Sequence, residues 1–172
     1  MVDQVGSDSI RFMMLYRKNE APLEFDFQKV TEQSKDNPVF YVQYAHARIS
    51  SVLRKLEEYK LKFNLSDFKD CKFDLLSSNH ELDLIKKILD WRSVIITSVN
   101  LYEPHRIAYY LFELASSFHS LWNQGKIDTK FKFINEEDLD ITYARLSLII
   151  ATQKTIKSGL ELLGVSAPDE MQ

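Results

Sequence analysis

A strip of aromatic and cationic side chains lies along the segment Asn37 to Lys55, NPVFYVQYAHARISSVLRK. Its members recur at spacings of three, four and seven residues, on one side of an α-helix: Tyr41, Tyr44, Arg48 and Lys55. Aromatic rings beside fixed positive charge can stack on splayed bases and neutralise their phosphates. The strip has the residue types that a contact with single-stranded nucleic acid needs, although spacing alone favours the simpler interpretation that follows. Tyrosines that only flank a core, next to solvated cations, would show the same spacing.

The segment that carries this strip has the signals of a long helix with a second, core-facing side. Asn37 is a good N-cap and Pro38 suits the first helical turn. A separate apolar stripe follows at helical spacing: Val42, Ala45, His46, Ile49, Leu53 and Leu56. On that stripe we expect His46 to be a hydrogen-bonded core residue rather than a ligand.

The rest of the chain predicts an all-α fold, an antiparallel helical bundle. Glycine and proline number only four each, which disfavours a fold of many tight turns. Long helices are predicted to start at Asn37, at Ser78 or Asn79, at Pro104 and at Leu139, with Gly164 closing the last. A short helix capped by Ser7 or Asp8, an extended Leu23–Phe27 and a short helix from Gln28 precede them. We expect residues 1–36 to form a connector and residues 37–172 to form the helical domain.

Composition limits the function and the location of the chain. It has 172 residues and a formal net charge of −3, so any contact with nucleic acid requires a local basic patch. The single Cys71 excludes an internal disulfide framework and favours a reduced, cytoplasmic setting. No signal peptide and no apolar run long enough for a membrane span is visible, so we expect no membrane partner.

Residue patterns that would support catalysis or metal binding are missing from the sequence. There is no glycine-rich phosphate loop, and the four histidines show no metal-ligand spacing. His119, near a helix end, is expected to be exposed or half-buried. The acidic run Glu136 to Asp140 is typical of a solvated loop leading into a helix N-terminus. We therefore predict no catalytic residue, no cofactor-binding residue and no metal ligand.

Four segments in order resemble one family. Asn37–Lys55, the run ASSFHSLWN at Ala115–Asn123 and the ending GLELLGVSAPDEM at Gly159–Met171 resemble the DALR-type anticodon-binding domain of bacterial arginyl-tRNA synthetases. Upstream, VGSDSIRFMML at Val5–Leu15 resembles the end of the catalytic domain in the same enzymes. The resemblance covers nearly the whole chain and implies that residues 1–36 are a remnant of that catalytic domain.

This resemblance implies a site and a function. The predicted tRNA-binding residues are Tyr44, Arg48, Lys55, Phe118, Trp122, Arg145 and Met171. Tyr44, Phe118 and Trp122 would offer faces to loop bases, and the arginines and Lys55 would neutralise phosphates. The expected function is recognition of the anticodon stem and loop of tRNA(Arg) by a monomer. Without the resemblance to this family, Trp122 would suit a core position equally well. Met171, at a chain end, would be interpreted as a frayed residue without a function.

Departures from the family pattern limit this inference. The usual DALR sequence reads Asp8-Ser9-Ile10-Arg11 here, and Glu170 replaces the arginine that commonly precedes the final methionine, so a phosphate contact is not carried over to that position. The ATP-site signatures of class I synthetases are missing. We therefore expect ATP and arginine to be bound by a catalytic domain outside this chain, which would not aminoacylate alone.

Two alternatives remain open. In the first, the chain is a non-catalytic helical module that docks on a separate catalytic half. Its connector Val2–Ser34 would form the contact, because we expect Phe12, Met13 and Met14 to be left exposed on a helical bundle that stands alone. In the second, the chain is a helical scaffold unrelated to tRNA.

Overall fold

The computed structural model describes residues 6–18, 34–59 and 65–171, together with the isolated positions 20, 32 and 61. Five α-helices lie in these ranges: α1 (Ser7–Leu15), α2 (Pro38–Glu58), α3 (Asn79–Leu101), α4 (His105–Ile127) and α5 (Leu139–Leu162). Short 3-10 turns occupy Leu65–Asp70, Phe73–Leu75 and Thr129–Phe131. The all-α prediction is confirmed. The predictions for Leu23–Phe27 and for a helix from Gln28 fall largely on residues outside the described ranges.

The helix starts follow from local hydrogen bonds that the sequence signalled. Asn37 accepts the Phe40 N–H at 3.4 Å, and Pro38 occupies the first helical turn of α2. At α3 the Ser78 hydroxyl accepts the Glu81 N–H while the Glu81 carboxylate accepts the Ser78 N–H, which is a capping box. These side chains satisfy N–H groups that have no partner inside a helix, so they fix where each helix begins.

The start of α1 differs from the prediction. Its N-cap is Gly6 and no side chain caps it, so Ser7 and Asp8 lie inside the helix. The Asp8 carboxylate is used elsewhere, since it accepts the Ser166 N–H at 3.0 Å and a Gln43 amide N–H at 3.2 Å. Tertiary contacts across the chain therefore take the carboxylate that local capping would have used.

The bundle has α4 and α5 at its centre, with α2 packed on one side of them and α3 on the other. Helices α3 and α4 run in opposite directions, as shown by contacts of His80 with Ser120 and of Trp91 with Tyr110. Helix α2 runs parallel to α4, since Tyr41 contacts Phe112 and Arg48 lies over Trp122. The bundle thus has two ends. We call the end at the C-termini of α2 and α4 the distal end, and the end at the α3–α4 turn the basal end.

Helix α1 packs against the basal end of the bundle. Phe12 is fully buried in the common core, and the Arg11 guanidinium donates to the Gly164 carbonyl oxygen just after α5. Tyr16 packs edge-on against Tyr109 of α4 at 4.7 Å between ring centroids. The expectation that Phe12 would be left exposed is therefore wrong, although Met14 is 57% exposed.

The centre of the core depends on one close approach between α5 and α4. Gly159 lies so near Leu111 that a Cβ atom at position 159 would be 2.5 Å from a Leu111 methyl carbon. Leu111 is fully buried and has little room to move. Further along, Gly164 adopts a φ of 67° and the Val165 N–H donates to the Leu160 carbonyl at 2.9 Å, so α5 ends where predicted.

No helix in the described part of the chain is long and apolar enough to cross a membrane.

We predict that Gly159→Ala destabilises the fold by about 1–3 kcal/mol, because the added methyl group overpacks a closed core. Urea unfolding followed by circular dichroism measures this change. The double variant Gly159→Ala, Leu111→Ala should show a favourable coupling between the two sites, since the second truncation makes room for the first. Strictly additive costs would contradict the close approach.

Candidate nucleic-acid interface

The predicted strip on α2 is already organised by contacts within the protein. The Arg48 guanidinium carbon lies 4.1 Å from the centre of the Tyr44 ring, and an Arg48 N–H donates to the Tyr44 hydroxyl at 3.1 Å. Phe40 stacks on Tyr44 from the preceding turn at 5.5 Å. Phe40 and Arg48 therefore approach the ring from opposite directions along α2. Tyr44 consequently presents its hydroxyl and ring edge more readily than an open face.

His119 of α4 holds Arg48 in place. Its side chain is only 4% exposed, so the prediction that His119 would be exposed or half-buried is wrong. Its Nδ1 accepts an Arg48 N–H at 3.1 Å, so Nε2 carries the proton that is donated to the Tyr41 carbonyl at 3.2 Å. Burial, and secondarily the Arg48 charge, lower the pKa of His119 to about 4, although the bond to Tyr41 opposes the shift. The ring is thus neutral at physiological pH.

Trp122 and Phe118 lie beside one another on α4 but differ in how much of each ring is exposed. Phe118 is fully buried and stacks on Phe133 at 6.0 Å, so it has no face for a base, and we remove it from the candidate contacts. Trp122 is half-buried, with the Arg48 guanidinium 5.1 Å from its ring centre. Its indole N–H is buried and has no hydrogen-bond partner among the described residues.

A groove of about 280 Å³ opens beside Trp122 at the distal end. Helices α2 and α4 and the loop after α4 line it: Val52, Lys55, Tyr59, Trp122, Gly125, Lys126, Phe131, Lys132, Phe133 and Ile134. Its three lysines are exposed and form no ion pair with the part of the chain that the structure describes. The groove therefore combines unpaired positive charge with aromatic rings, which suits a base and its flanking phosphates.

Arg145 does not reach this surface as predicted. It is 5% exposed, its Nε donates to the Glu81 carboxylate at 2.8 Å, and its Nη1 donates to the carbonyls of Lys130 and Lys132 at 2.6 and 2.9 Å. Burial by itself raises the pKa of Glu81, but hydrogen bonds from Ser78 and Arg145 together hold it below its usual value. Arg145 thus fixes the loop that lines the groove, and we remove it from the candidate phosphate contacts.

The C-terminal tail lies along the other side of α2. The Pro168 carbonyl accepts the His46 Nδ1–H at 3.0 Å, which makes His46 the predicted hydrogen-bonded core histidine. The Ser50 hydroxyl donates to Asp169 at 2.7 Å, and an Arg54 N–H donates to the Asp169 carbonyl at 3.2 Å. These contacts leave Met171 half-buried beside α2. Tyr44, Arg48 and Lys55 lie on a different face of α2 from the tail, and Met171 does not line the groove beside Trp122.

Comparison with known proteins identifies the family. A family model, the DALR anticodon binding domain, matches residues 42–171, which is most of the chain. The chain belongs to the DALR anticodon-binding domain family. It is 50% identical over 174 residues to an arginine–tRNA ligase of Agrobacterium fabrum, and 51% identical over 170 residues to one of Rickettsia akari. These alignments cover 100% and 98% of this chain but only 30% and 29% of the two ligases.

Solved structures agree with this assignment. The Thermus thermophilus arginyl-tRNA synthetase superposes with a TM-score of 0.71 at 27% identity, over 98% of this chain and 27% of that one. A Campylobacter jejuni protein assigned as an arginyl-tRNA synthetase gives a TM-score of 0.82 at 26% identity, over 99% of this chain and 34% of that one. The chain therefore spans about a third or less of each protein that it matches.

Four residues that line the groove of this DALR domain were not predicted from the sequence: Tyr59, Lys126, Phe131 and Lys132. A usable signal was present in the run Lys130-Phe131-Lys132-Phe133, which interleaves cations with aromatic rings. Only the fold brings that run beside Trp122 and Lys55. Within the described ranges, no group of three or more His, Cys, Asp or Glu side chains is arranged to hold a metal ion.

The neutral state of His119 predicts a pH-dependent stability. Its pKa is about 4 in the folded chain and about 6.5 when unfolded, so the unfolded state binds more protons between these values. The free energy of unfolding should fall as pH drops from 6.5 to 4, by roughly 3 kcal/mol from this residue. Urea unfolding at a series of pH values measures this change. In the variant His119→Gln, the free energy of unfolding should lack this part of the decrease. Parallel curves for the two proteins would contradict the assignment.

The buried position of Arg145 predicts a structural defect rather than only weaker RNA binding. Arg145→Ala leaves Glu81 buried without its partner and should destabilise the fold by about 3–5 kcal/mol. Thermal or urea unfolding measures this. The control is Lys72→Ala, which breaks the exposed ion pair with Asp140 and should change stability little. Full stability of Arg145→Ala would return Arg145 to the candidate phosphate contacts.

Proposed function

We propose that this chain binds the anticodon stem and loop of tRNA(Arg) as the anticodon-binding part of an arginine–tRNA ligase. The observation that supports this most directly is the distal groove, where Trp122 lies with three lysines that form no ion pair with the described residues. The whole chain has a net charge of −3, so this local excess of positive charge stands out. An anionic, aromatic ligand such as an unstacked nucleotide complements it.

In this proposal the groove holds one nucleotide that the loop has splayed out. Its base lies against Trp122 or Phe131, where stacking contributes roughly 1–3 kcal/mol. Its phosphates lie near Lys55, Lys126 and Lys132. A base or phosphate acceptor that reaches the buried indole N–H of Trp122 would supply the hydrogen bond that this donor lacks in the described structure.

Arg48 acts mainly as an organiser in this proposal. Its guanidinium bridges Tyr44, His119 and Trp122, and its charge lies at the edge of the groove. The Tyr44 hydroxyl already accepts from Arg48 and can still donate its own proton to an RNA acceptor. Met171, on the far side of α2, would contact a separate part of the loop.

The complete enzyme would be an arginine–tRNA ligase, as its curated relatives are named, and would depend on ATP. ATP and arginine would be bound by the part of the relatives' length that this chain does not cover. The chain itself would contribute recognition of the tRNA and, as a monomer in the cytoplasm, would place the anticodon at a fixed distance from the catalytic domain.

The test is binding of a tRNA(Arg) transcript, beside a transcript altered at the middle anticodon base, measured by fluorescence anisotropy over a series of salt concentrations. We expect tighter binding of the first transcript. Lys126→Gln with Lys132→Gln should weaken binding and reduce the slope of log K against log salt by roughly 0.7 for each phosphate that is no longer neutralised.

A matched control is Lys154→Gln with Lys157→Gln, which removes the same charge from exposed positions on α5. Equal weakening by the two double variants would mean that only overall charge matters and would remove the groove from the site. Equal binding of the two transcripts by the unaltered chain would contradict anticodon recognition.

A further inference from the structure

The C-terminal tail, residues 166–171, runs along α2 without becoming part of the core. Val165, at 3% exposure, is the last buried side chain, and every residue of the tail is exposed or half-buried. A chain end that buries so little normally frays, because ordering it costs conformational entropy that no packing offsets. The position of this tail therefore depends on its polar contacts.

One face of α2 supplies these contacts, with one donor from each helical turn. The donors are three, four and four residues apart and so share a face: Gln43, His46, Ser50 and Arg54. The Gln43 amide donates to the Ser166 carbonyl at 3.0 Å. His46 donates through Nδ1 to the Pro168 carbonyl, also at 3.0 Å. We call these four side chains the donor ladder.

The last two members of the donor ladder hold the end of the tail. The Ser50 hydroxyl donates to the Asp169 carboxylate at 2.7 Å and accepts an amide N–H of Gln153 on α5 at 2.6 Å. Arg54 donates to the Asp169 carbonyl at 3.2 Å and lies 3.5 Å from the Glu170 carboxylate. The tail thus advances along α2 toward the distal end.

The donor ladder connects buried donors to an exposed segment. His46 and Ser50 are 3% and 6% exposed, whereas the side chain of Asp169 is 74% exposed. These bonds bury little apolar surface, so their main effect is to hold the tail in one conformation. A segment that is already ordered loses less entropy when it binds a ligand, and it therefore binds more tightly than a frayed one.

The neighbouring face of α2 indicates which ligand the ordered tail meets. Lys55, next to Arg54 in sequence, lines the groove that contains Trp122. The tail adds Met171, which is half-buried and whose flexible, polarizable side chain adapts to an aromatic surface such as a base. The groove and the tail therefore lie on two faces of one helix, close enough for one RNA loop to contact both.

We infer that the donor ladder is a positioning element of the tRNA site. His46 and Ser50 act on RNA binding through the tail and do not touch the RNA themselves. This inference rests on the proposed function, since it requires the loop of the tRNA to contact Met171.

The test compares two matched serine variants of the whole chain. Ser50→Ala removes the donor to Asp169. Ser98→Ala removes an equally buried hydroxyl that donates to the Glu103 carbonyl at 2.8 Å, near the α3–α4 turn. Urea unfolding should show similar small losses of stability in both variants. Only Ser50→Ala should weaken binding of the tRNA(Arg) transcript, by about tenfold, because its bond to a charged acceptor orders the tail.

The order of the tail is measured without RNA, by nuclear magnetic resonance of the isotope-labelled methionine methyl groups. The chain has four methionines, and the variant Met171→Ala assigns the signal of Met171. This signal should narrow in Ser50→Ala, because a mobile methyl group gives a sharper line, and should be unchanged in Ser98→Ala. The affinity for the transcript should fall by the same factor as the ordered fraction of the tail.

A double variant tests whether Ser50 acts through the tail. In the Met171→Ala background, Ser50→Ala should not weaken binding further, since the residue that the tail delivers is already gone. A further loss in that background would overturn the inference. So would equal losses of affinity in Ser50→Ala and Ser98→Ala, or a Met171 signal that stays broad in Ser50→Ala.

The transcript altered at the middle anticodon base separates this inference from the proposed function. Equal binding of both transcripts by the unaltered chain would contradict the proposed function and the inference together. Discrimination by the unaltered chain that persists with full affinity in Ser50→Ala would overturn the inference alone and leave the proposed function standing.

Discussion

The buried ion pair between Arg145 and Glu81 is the interaction on which the distal end depends. It joins the middle of the bundle to the capping box that starts α3, and the same guanidinium holds the carbonyls of Lys130 and Lys132. A charged pair in a core is costly unless every donor and acceptor is satisfied, and here two backbone carbonyls complete the arrangement. One wall of the distal groove is the loop that contains Lys130 and Lys132, and hydrogen bonds from the buried Arg145 therefore hold this wall in place.

Helix α2 is used on both of its flanks, and this explains its dense pattern of polar residues. One flank, with His46, Ser50 and Arg54, binds the C-terminal tail by hydrogen bonds. The other flank holds Arg48 between two aromatic rings and a neutral histidine.

The two ends of the bundle differ in chemistry. At the distal end, aromatic rings meet lysines that form no ion pair with the described residues. At the basal end lie exposed aliphatic side chains and the buried His105, whose Nδ1 has no hydrogen-bond partner among the described residues.

The sequence by itself determined the elements and the family. Helix starts at Asn37 and Ser78 and the end of α5 at Gly164 followed from local rules, because caps and left-handed turns depend only on neighbouring residues. Sequence also indicated the aromatic and cationic strip of α2 and the family that the comparisons then showed. What it could not determine was exposure, which depends on how helices distant in sequence pack together.

The tertiary structure decided which predicted site residues can touch a ligand. Phe118 and Arg145 have the right residue types for a tRNA contact, but packing against Phe133 and pairing with Glu81 place them inside the protein. Lys126 and Lys132, which no helical periodicity linked to Lys55, line the groove beside it because the loop after α4 folds back over Gly125. Local sequence specifies residue type and helix face, whereas burial and the meeting of distant residues are properties of the packed core alone.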